Sequence, residues 1–137
     1  RRGGSMAEKP PVLVVDDEEV VRVALTDILE LYGQRAITAS SGPEAITIIQ
    51  DLSPVGIQVV ILDLLMPGMN GVETMYKLIA IAPQIKFIIS SGFDEEEVVE
   101  RFGLGNYDRA RVHFLQKPYT MANIMNLVER CQEISPP

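Results

Sequence analysis

Val59-Val60-Ile61-Leu62-Asp63-Leu64-Leu65-Met66-Pro67-Gly68-Met69-Asn70-Gly71 is the stretch that decides how this chain is read. Four consecutive apolar residues, three of them β-branched, suit a strand buried on both faces, which is the habit of parallel sheets. A Pro-Gly turn follows. Asn70-Gly71-Val72-Glu73 then has the Asn-x-x-Glu spacing of a capping box, so a helix is expected to start there. Strand, turn and helix in this order make one unit of a parallel α/β fold. The strand closes on Asp63, and a carboxylate at the end of a buried strand is costly unless something there uses its charge.

The same grammar extends in both directions. Val12 to Val15 forms a second apolar run, and it leads into Asp16-Asp17-Glu18-Glu19. Further strands are expected at Arg35 to Ala39, Lys86 to Ser90 and Val112 to Gln116. Between them lie helix-length amphipathic segments. The first runs from about Glu18 to Tyr32, with Val21, Ala24, Leu25 and Ile28 inward and Gly33 as its stop. The second follows Ser41-Gly42-Pro43, presents Ala45, Ile48, Ile49 and Leu52, and is broken by Pro54 and Gly56. The third runs to Pro83 and carries Val72, Met75 and Ile79. Asp94-Glu95-Glu96-Glu97 repeats the capping spacing and opens a short fourth helix ending near Phe102. The last buries Met121, Ile124, Met125 and Val128. Five alternations of strand and helix predict a doubly wound parallel sheet covered on both faces. All strands but the second are nearly continuous apolar runs, which predicts a central position for each of those four.

At 137 residues the chain suits one domain. Arg1 to Ser5 reads as an expression scar. Residues 1–9 are expected to be that scar and a flexible lead, 10–134 the domain, and 135–137 a tail. A net charge of -7 argues against direct nucleic-acid binding, which needs a basic face. The single Cys131 cannot form an internal disulfide, and together with the acidic balance this suggests a reducing compartment, the cytoplasm. No apolar run approaches the ~20 residues that span a bilayer, so membrane insertion is not expected.

In an open parallel sheet, ligands bind outside the carboxyl ends of the strands, near the point where strand order reverses. That rule collects Asp16, Asp17, Asp63, Ser91 and Lys117 on one rim. Two carboxylates about 4 Å apart repel by about 4 kcal/mol at an effective dielectric of about 20, so the cluster calls for a cation or for shared protons. Oxygen ligands suit Mg²⁺ or Mn²⁺, with Asp17 and Asp63 binding directly and Asp16 through water. An ionised Asp63 is then a candidate nucleophile toward phosphorus, with Lys117 neutralising the transferred oxygens and Ser91 donating a hydrogen bond to them.

Asp16-Asp17 after the first strand, Asp63 in Leu62-Asp63-Leu64-Leu65-Met66-Pro67-Gly68-Met69-Asn70-Gly71, Ser91-Gly92 and Lys117-Pro118 together resemble the receiver domain of two-component response regulators. The resemblance covers about Pro10 to Ile134. It implies a flavodoxin-like (CheY-like) fold with strand order 2-1-3-4-5 and phosphorylation of Asp63 by a phosphohistidine on a histidine kinase or histidine phosphotransfer protein. It also implies a cis Lys117-Pro118 peptide, a metal ligand from the backbone carbonyl of Leu65, and an output face of fourth helix, fifth strand and fifth helix. Receivers often couple the Ser91 hydroxyl to an aromatic residue three before the lysine. Here that switch position is Phe114, which has no hydroxyl of its own. Ser91-Gly92-Phe93 and the Phe-Leu-Gln-Lys-Pro-Tyr ending look more like receivers attached to hybrid histidine kinases than those fused to DNA-binding domains.

Plainer roles compete at several positions. Asp16 and Asp17 could cap the first helix, and Glu18 and Glu19 are expected to be its solvated first turn. His113, the only histidine, reads as strand-edge structure, Cys131 as a small buried hydrophobe, and the methionines as core and turn filler. Other function classes fit less well. An aspartyl-phosphate hydrolase commonly needs a second acid two residues after its nucleophile, where this chain has Leu65. A flavodoxin-like nucleotide site would be repelled by Asp16-Asp17-Glu18. A docking platform without chemistry would not need the full acidic, hydroxyl and lysine set.

Overall fold

The computed structural model describes residues 9–52 and 56–133. The expected scar, Ile134 at the end of the expected domain, the tail 135–137 and the helix breaker Pro54 lie outside those residues. The strands are β1 (Val12–Val15), β2 (Ala36–Ala39), β3 (Val59–Asp63), β4 (Lys86–Ser91) and β5 (Val112–Gln116). The helices are α1 (Glu19–Leu31), α2 (Gly42–Leu52), α3 (Gly71–Ile81), α4 (Glu95–Phe102) and α5 (Met121–Gln132). All strand pairs are parallel, in the order β2-β1-β3-β4-β5.

Alternation along the strands splits the core in two. Val12, Val14, Val59, Ile61, Ile88 and Leu115 face α1 and α5. Leu13, Val15, Val60, Leu62, Phe87 and Ile89 face α2, α3 and α4. Because both faces of β1, β3 and β4 are covered, Val12 to Val15, Val59 to Leu62 and Phe87 to Ile89 are unbroken apolar runs.

Local signals explain the helix ends. Asn70 caps α3 as the capping box requires: its side chain accepts from the Glu73 N–H at 3.0 Å, and Glu73 returns the bond to the Asn70 N–H at 3.1 Å. Asp94 caps α4 by accepting from the Glu97 N–H at 2.8 Å. Gly33 and Gly103 end α1 and α4 in the left-handed region, with φ of 79° and 69°.

Three expectations are corrected. β5 is an edge strand and not a central one: Val112 and Leu115 are buried on opposite faces of the sheet, but with no strand beyond it His113 and Phe114 are only half-buried. In α1 the buried seam is Leu25 and Leu29, and Ala24 is exposed because it lies about 120° around the helix from the centre of that seam. Met121 is 40% exposed, since it sits in the first turn of α5, at the rim where the strands have ended.

Gly71 joins the fold to the rim. Its N–H donates to the Leu64 carbonyl at 2.9 Å, and a Cβ there would come 2.5 Å from the Asp63 carbonyl oxygen and 2.8 Å from the Leu64 Cα. Both obstacles are backbone. Gly71→Ala is expected to destabilise the domain by about 1–3 kcal/mol, read as a lower urea midpoint at unchanged slope.

Candidate functional site

The order of the strands reverses at β1 and β3, and the register places Val15 beside Leu62. The next residues along are Asp16 and Asp63, so the topology itself sets the two carboxylates side by side. Asp16, Asp17 and Asp63 each offer an oxygen within 4.8 Å of the others, and they are the one such acidic group found among the described residues. Asp16 and Asp63 are buried, at 2% and 7% exposure, while Asp17 is open to solvent.

Lys117 arrives from the end of β5. Its backbone N–H donates to the Ser91 carbonyl at 2.7 Å, which extends the sheet by one bond, and its Nζ reaches Asp63 Oδ1 at 3.2 Å. The Lys117-Pro118 peptide is cis, as the resemblance implies. Burial opposes the lysine's charge, but Asp63 and Asp16 outweigh it and hold its pKa above the usual value.

The carboxylates are under the opposite pressure. Burial, then the charge of Asp16, pushes Asp63 up to about 6 despite the pull of Lys117. Burial also raises Asp16, against a 2.9 Å hydrogen bond from the Glu18 N–H to its Oδ1 and the attraction of Lys117. One lysine does not balance this rim. Its all-oxygen donor set, clustered and under-compensated, fits a hard divalent cation such as Mg²⁺ or Mn²⁺.

Asp16, and not Asp17, makes the bond at the start of α1. The N-cap position belongs to Glu18, whose side chain makes no capping bond. Arg22, one turn into α1, donates to the Asp16 carbonyl at 2.8 Å and fixes the loop from behind. Asp17 is thereby left to solvent and to whatever binds the rim.

Ser91 and Phe114 occupy the other side of the sheet. Asp63 is registered against Ser90, so the neighbouring Ser91 turns toward the α3–α4 face, where Phe114 packs one strand over. The Ser91 hydroxyl is engaged locally: it accepts from the Phe93 N–H at 3.1 Å and donates to the Phe93 carbonyl at 3.0 Å. Leu65 lies on the loop two residues after Asp63 and is 58% exposed. Thus Asp16, Asp17, Asp63 and Lys117 form one cluster, and Ser91 is bonded away from it.

Gly71, Arg22 and Tyr119 were not singled out from the sequence. Tyr119 is half-buried near the rim, and burial raises its hydroxyl pKa while Lys117 lowers it and Asp16 and Asp63 raise it. Its place two residues after Lys117 was the available signal. His113 is half-buried on β5 with its pKa lowered first by burial, in keeping with a structural role, and Cys131 is buried with its thiol pushed up to about 11 by desolvation.

The response regulator receiver domain model matches residues 12–129. The sensor kinase CckA of Brucella abortus is 31% identical over 122 residues, 89% of this chain but 12% of that protein's length. The chemotaxis protein CheY of Thermotoga maritima is 30% identical, with 87% of this chain and 94% of that protein covered. Among solved structures, the CheX–CheY–BeF3–Mg²⁺ complex of Borrelia burgdorferi matches at a TM-score of 0.77 and 26% identity, over 92% of this chain and 91% of that one. A long kinase and a short chemotaxis protein at nearly equal identity give the hybrid-kinase expectation no advantage over a short regulator. Strand order, an acidic trio at the switch point, a lysine joined to the following proline by a cis peptide and this match over the whole sheet place the chain in the response regulator receiver domain family, the phospho-accepting modules of two-component signalling.

Proposed function

We propose that Asp63 is the phosphoacceptor, that it takes the phosphoryl group from a phosphohistidine of a histidine kinase or histidine phosphotransfer protein, and that the change is read on the α4-β5-α5 face. What supports it is that Asp63, a buried carboxylate, is held between Lys117 Nζ at 3.2 Å and the Asp16–Asp17 pair. An Asp63 oxygen attacks phosphorus, the P–N bond to the donor histidine breaks, and the nitrogen keeps the electron pair. The Lys117 ammonium stands where the transferred oxygens gather charge. Asp16, Asp17, Asp63 and the Leu65 carbonyl would hold Mg²⁺ or Mn²⁺, which when bound supplies positive charge at those oxygens and keeps the carboxylates ionised. Ser91 turns from Phe93 to donate to the new phosphoryl group, and Phe114 moves toward the space it leaves.

The donor has to bring its phosphorylated side chain over the rim. Leu65 and Val20, exposed by 58% and 81%, give it apolar surface to bury beside the acceptor. A reducing cytoplasm suits such a donor and the free Cys131. Among the described residues no helix is long and apolar enough to cross a membrane.

On this reading the domain is an acceptor module and not a turnover enzyme, because position 65 supplies an exposed leucine where a second acid would be needed. Incubation with Mg²⁺ and acetyl phosphate should give one phosphoryl adduct by intact mass, labile to hydroxylamine. Sustained phosphate release from diverse phosphoesters would contradict the acceptor reading. Asp17→Asn is expected to weaken Mg²⁺ binding by at least about tenfold in a calorimetric titration, since even outer-shell partners of a metal carry that much, and adduct formation should fall with it. Unchanged Mg²⁺ affinity would remove Asp17 from the ligand set.

A further inference from the structure

Helix α4 is weakly seated, with Val98 its one fully buried residue. Val99 and Phe102 pack half-buried beside it, and two aromatic contacts add to that hold, one at each end. At its first turn, Glu95 accepts a hydrogen bond from the Tyr107 hydroxyl, and Arg109 lies 3.3 Å from the same carboxylate and 5.0 Å over the tyrosine ring. The other edge of that ring system meets Phe114, with centroids 5.2 Å apart at an interplanar angle of 79°. At the last turn, the Arg101 guanidinium lies 4.7 Å over the ring of Phe93, the residue whose backbone holds the Ser91 hydroxyl from both sides. Both contacts therefore lead back to the same place: Ser91 directly through Phe93, and the neighbouring Phe114 through Tyr107.

We propose that Tyr107 and Arg101 are the positioning residues that transmit the state of Asp63 to α4, each clasping one end of the helix while the site is unmodified. Phe114 has no hydroxyl with which to report its own movement. Tyr107 provides one, already bonded to α4. When Ser91 leaves Phe93 for the phosphoryl group, the Phe93 backbone loses both of its bonds to Ser91, and the Phe93–Arg101 contact loosens with it. When Phe114 moves inward, Tyr107 loses its edge-to-face partner and the Glu95 bond loses its support. Release of both ends frees α4 to shift as a unit against the sheet. This inference rests on Asp63 as the acceptor.

The test follows α4 backbone amides by NMR in the whole chain, with and without Mg²⁺ and acetyl phosphate, while intact mass reports adduct occupancy in the same samples. In the unaltered protein, amides from Glu95 to Phe102 should shift on modification. Tyr107→Phe keeps the ring on Phe114 but loses the bond to Glu95. It should reach the same occupancy, start with its first-turn amides displaced toward the modified position, and show a first-turn response reduced roughly twofold. Arg101→Gln should do the same at the last turn. β1 amides and thermal midpoint serve as controls, because a purely structural role would move those and not the modification-dependent response. An unchanged α4 response in both variants at equal occupancy overturns the proposal, as does an adduct in the unaltered protein that leaves α4 where it was. No adduct at all would instead refute the acceptor reading, and this inference with it.

Discussion

Asp63→Asn is expected to take up no phosphoryl group from any donor and, in the absence of divalent metal at pH 7, to be more stable than the unaltered domain. The first effect follows because an amide oxygen is a poor nucleophile and carries no charge to balance against Lys117. The second comes from the cost of the site itself. Burial and Asp16 raise the Asp63 pKa to about 6 from an ordinary 3.8. Between those values the folded state holds more protons than the unfolded one, so stability falls as pH rises through the window. At pH 7 the ionised carboxylate costs on the order of 3 kcal/mol, which asparagine avoids. Below about pH 4 both states are protonated and the advantage disappears. Urea melts with chelator at pH 4 and pH 7 check this: the stability gap in favour of Asp63→Asn should be present at pH 7 and absent at pH 4. A gap of equal size at both would mean that the carboxylate's charge is not its source.

Lys117→Ala carries the second large effect. Lys117 is the one cation within reach of Asp63 Oδ1 among the described residues. Without it the pull that lowers the Asp63 pKa is gone, and the transferred oxygens lose their fixed positive partner. Removal of one such preorganised group typically costs on the order of 10²-fold in rate, so the rate of adduct formation from acetyl phosphate should fall about that far. Mg²⁺ affinity should hold or rise, because the lysine competes with a cation for the same carboxylates. A calorimetric titration beside a time course of intact masses separates the two quantities. A loss of both metal binding and phosphorylation would show that Lys117 maintains the acidic cluster instead of acting on the phosphoryl group.

The residues that line the acidic rim were legible in sequence because each follows a buried apolar run. Val12 to Val15 and Val59 to Leu62 could be read as strands, and Asp16 and Asp63 then had to lie at their carboxyl ends. What the pattern could not supply was direction. Apolar residues in β5 look the same whether a strand lies in the middle of the sheet or at its edge, and the alternation of Ser90 and Ser91 decides by one residue which hydroxyl faces Asp63 and which faces Phe114. In α1, Ala24 fitted the apolar face by type, yet rotation of the helix left Leu25 and Leu29 as its seam. Gly71 was visible only as part of a turn, since its close approach to the Asp63 carbonyl is a fact of tertiary packing. Tyr107 was likewise an ordinary residue in a loop until the fold set it between Phe114 and Glu95.

The phosphoryl group is expected on Asp63 and on no other carboxylate of the rim. The most direct measurement is to phosphorylate the chain with acetyl phosphate and Mg²⁺, reduce the acyl phosphate with borohydride, and map the reduced residue by peptide mass spectrometry. Homoserine at position 63 alone is the predicted result. Homoserine at position 16 or 17, or a chain with no reduced aspartate after treatment, would contradict it.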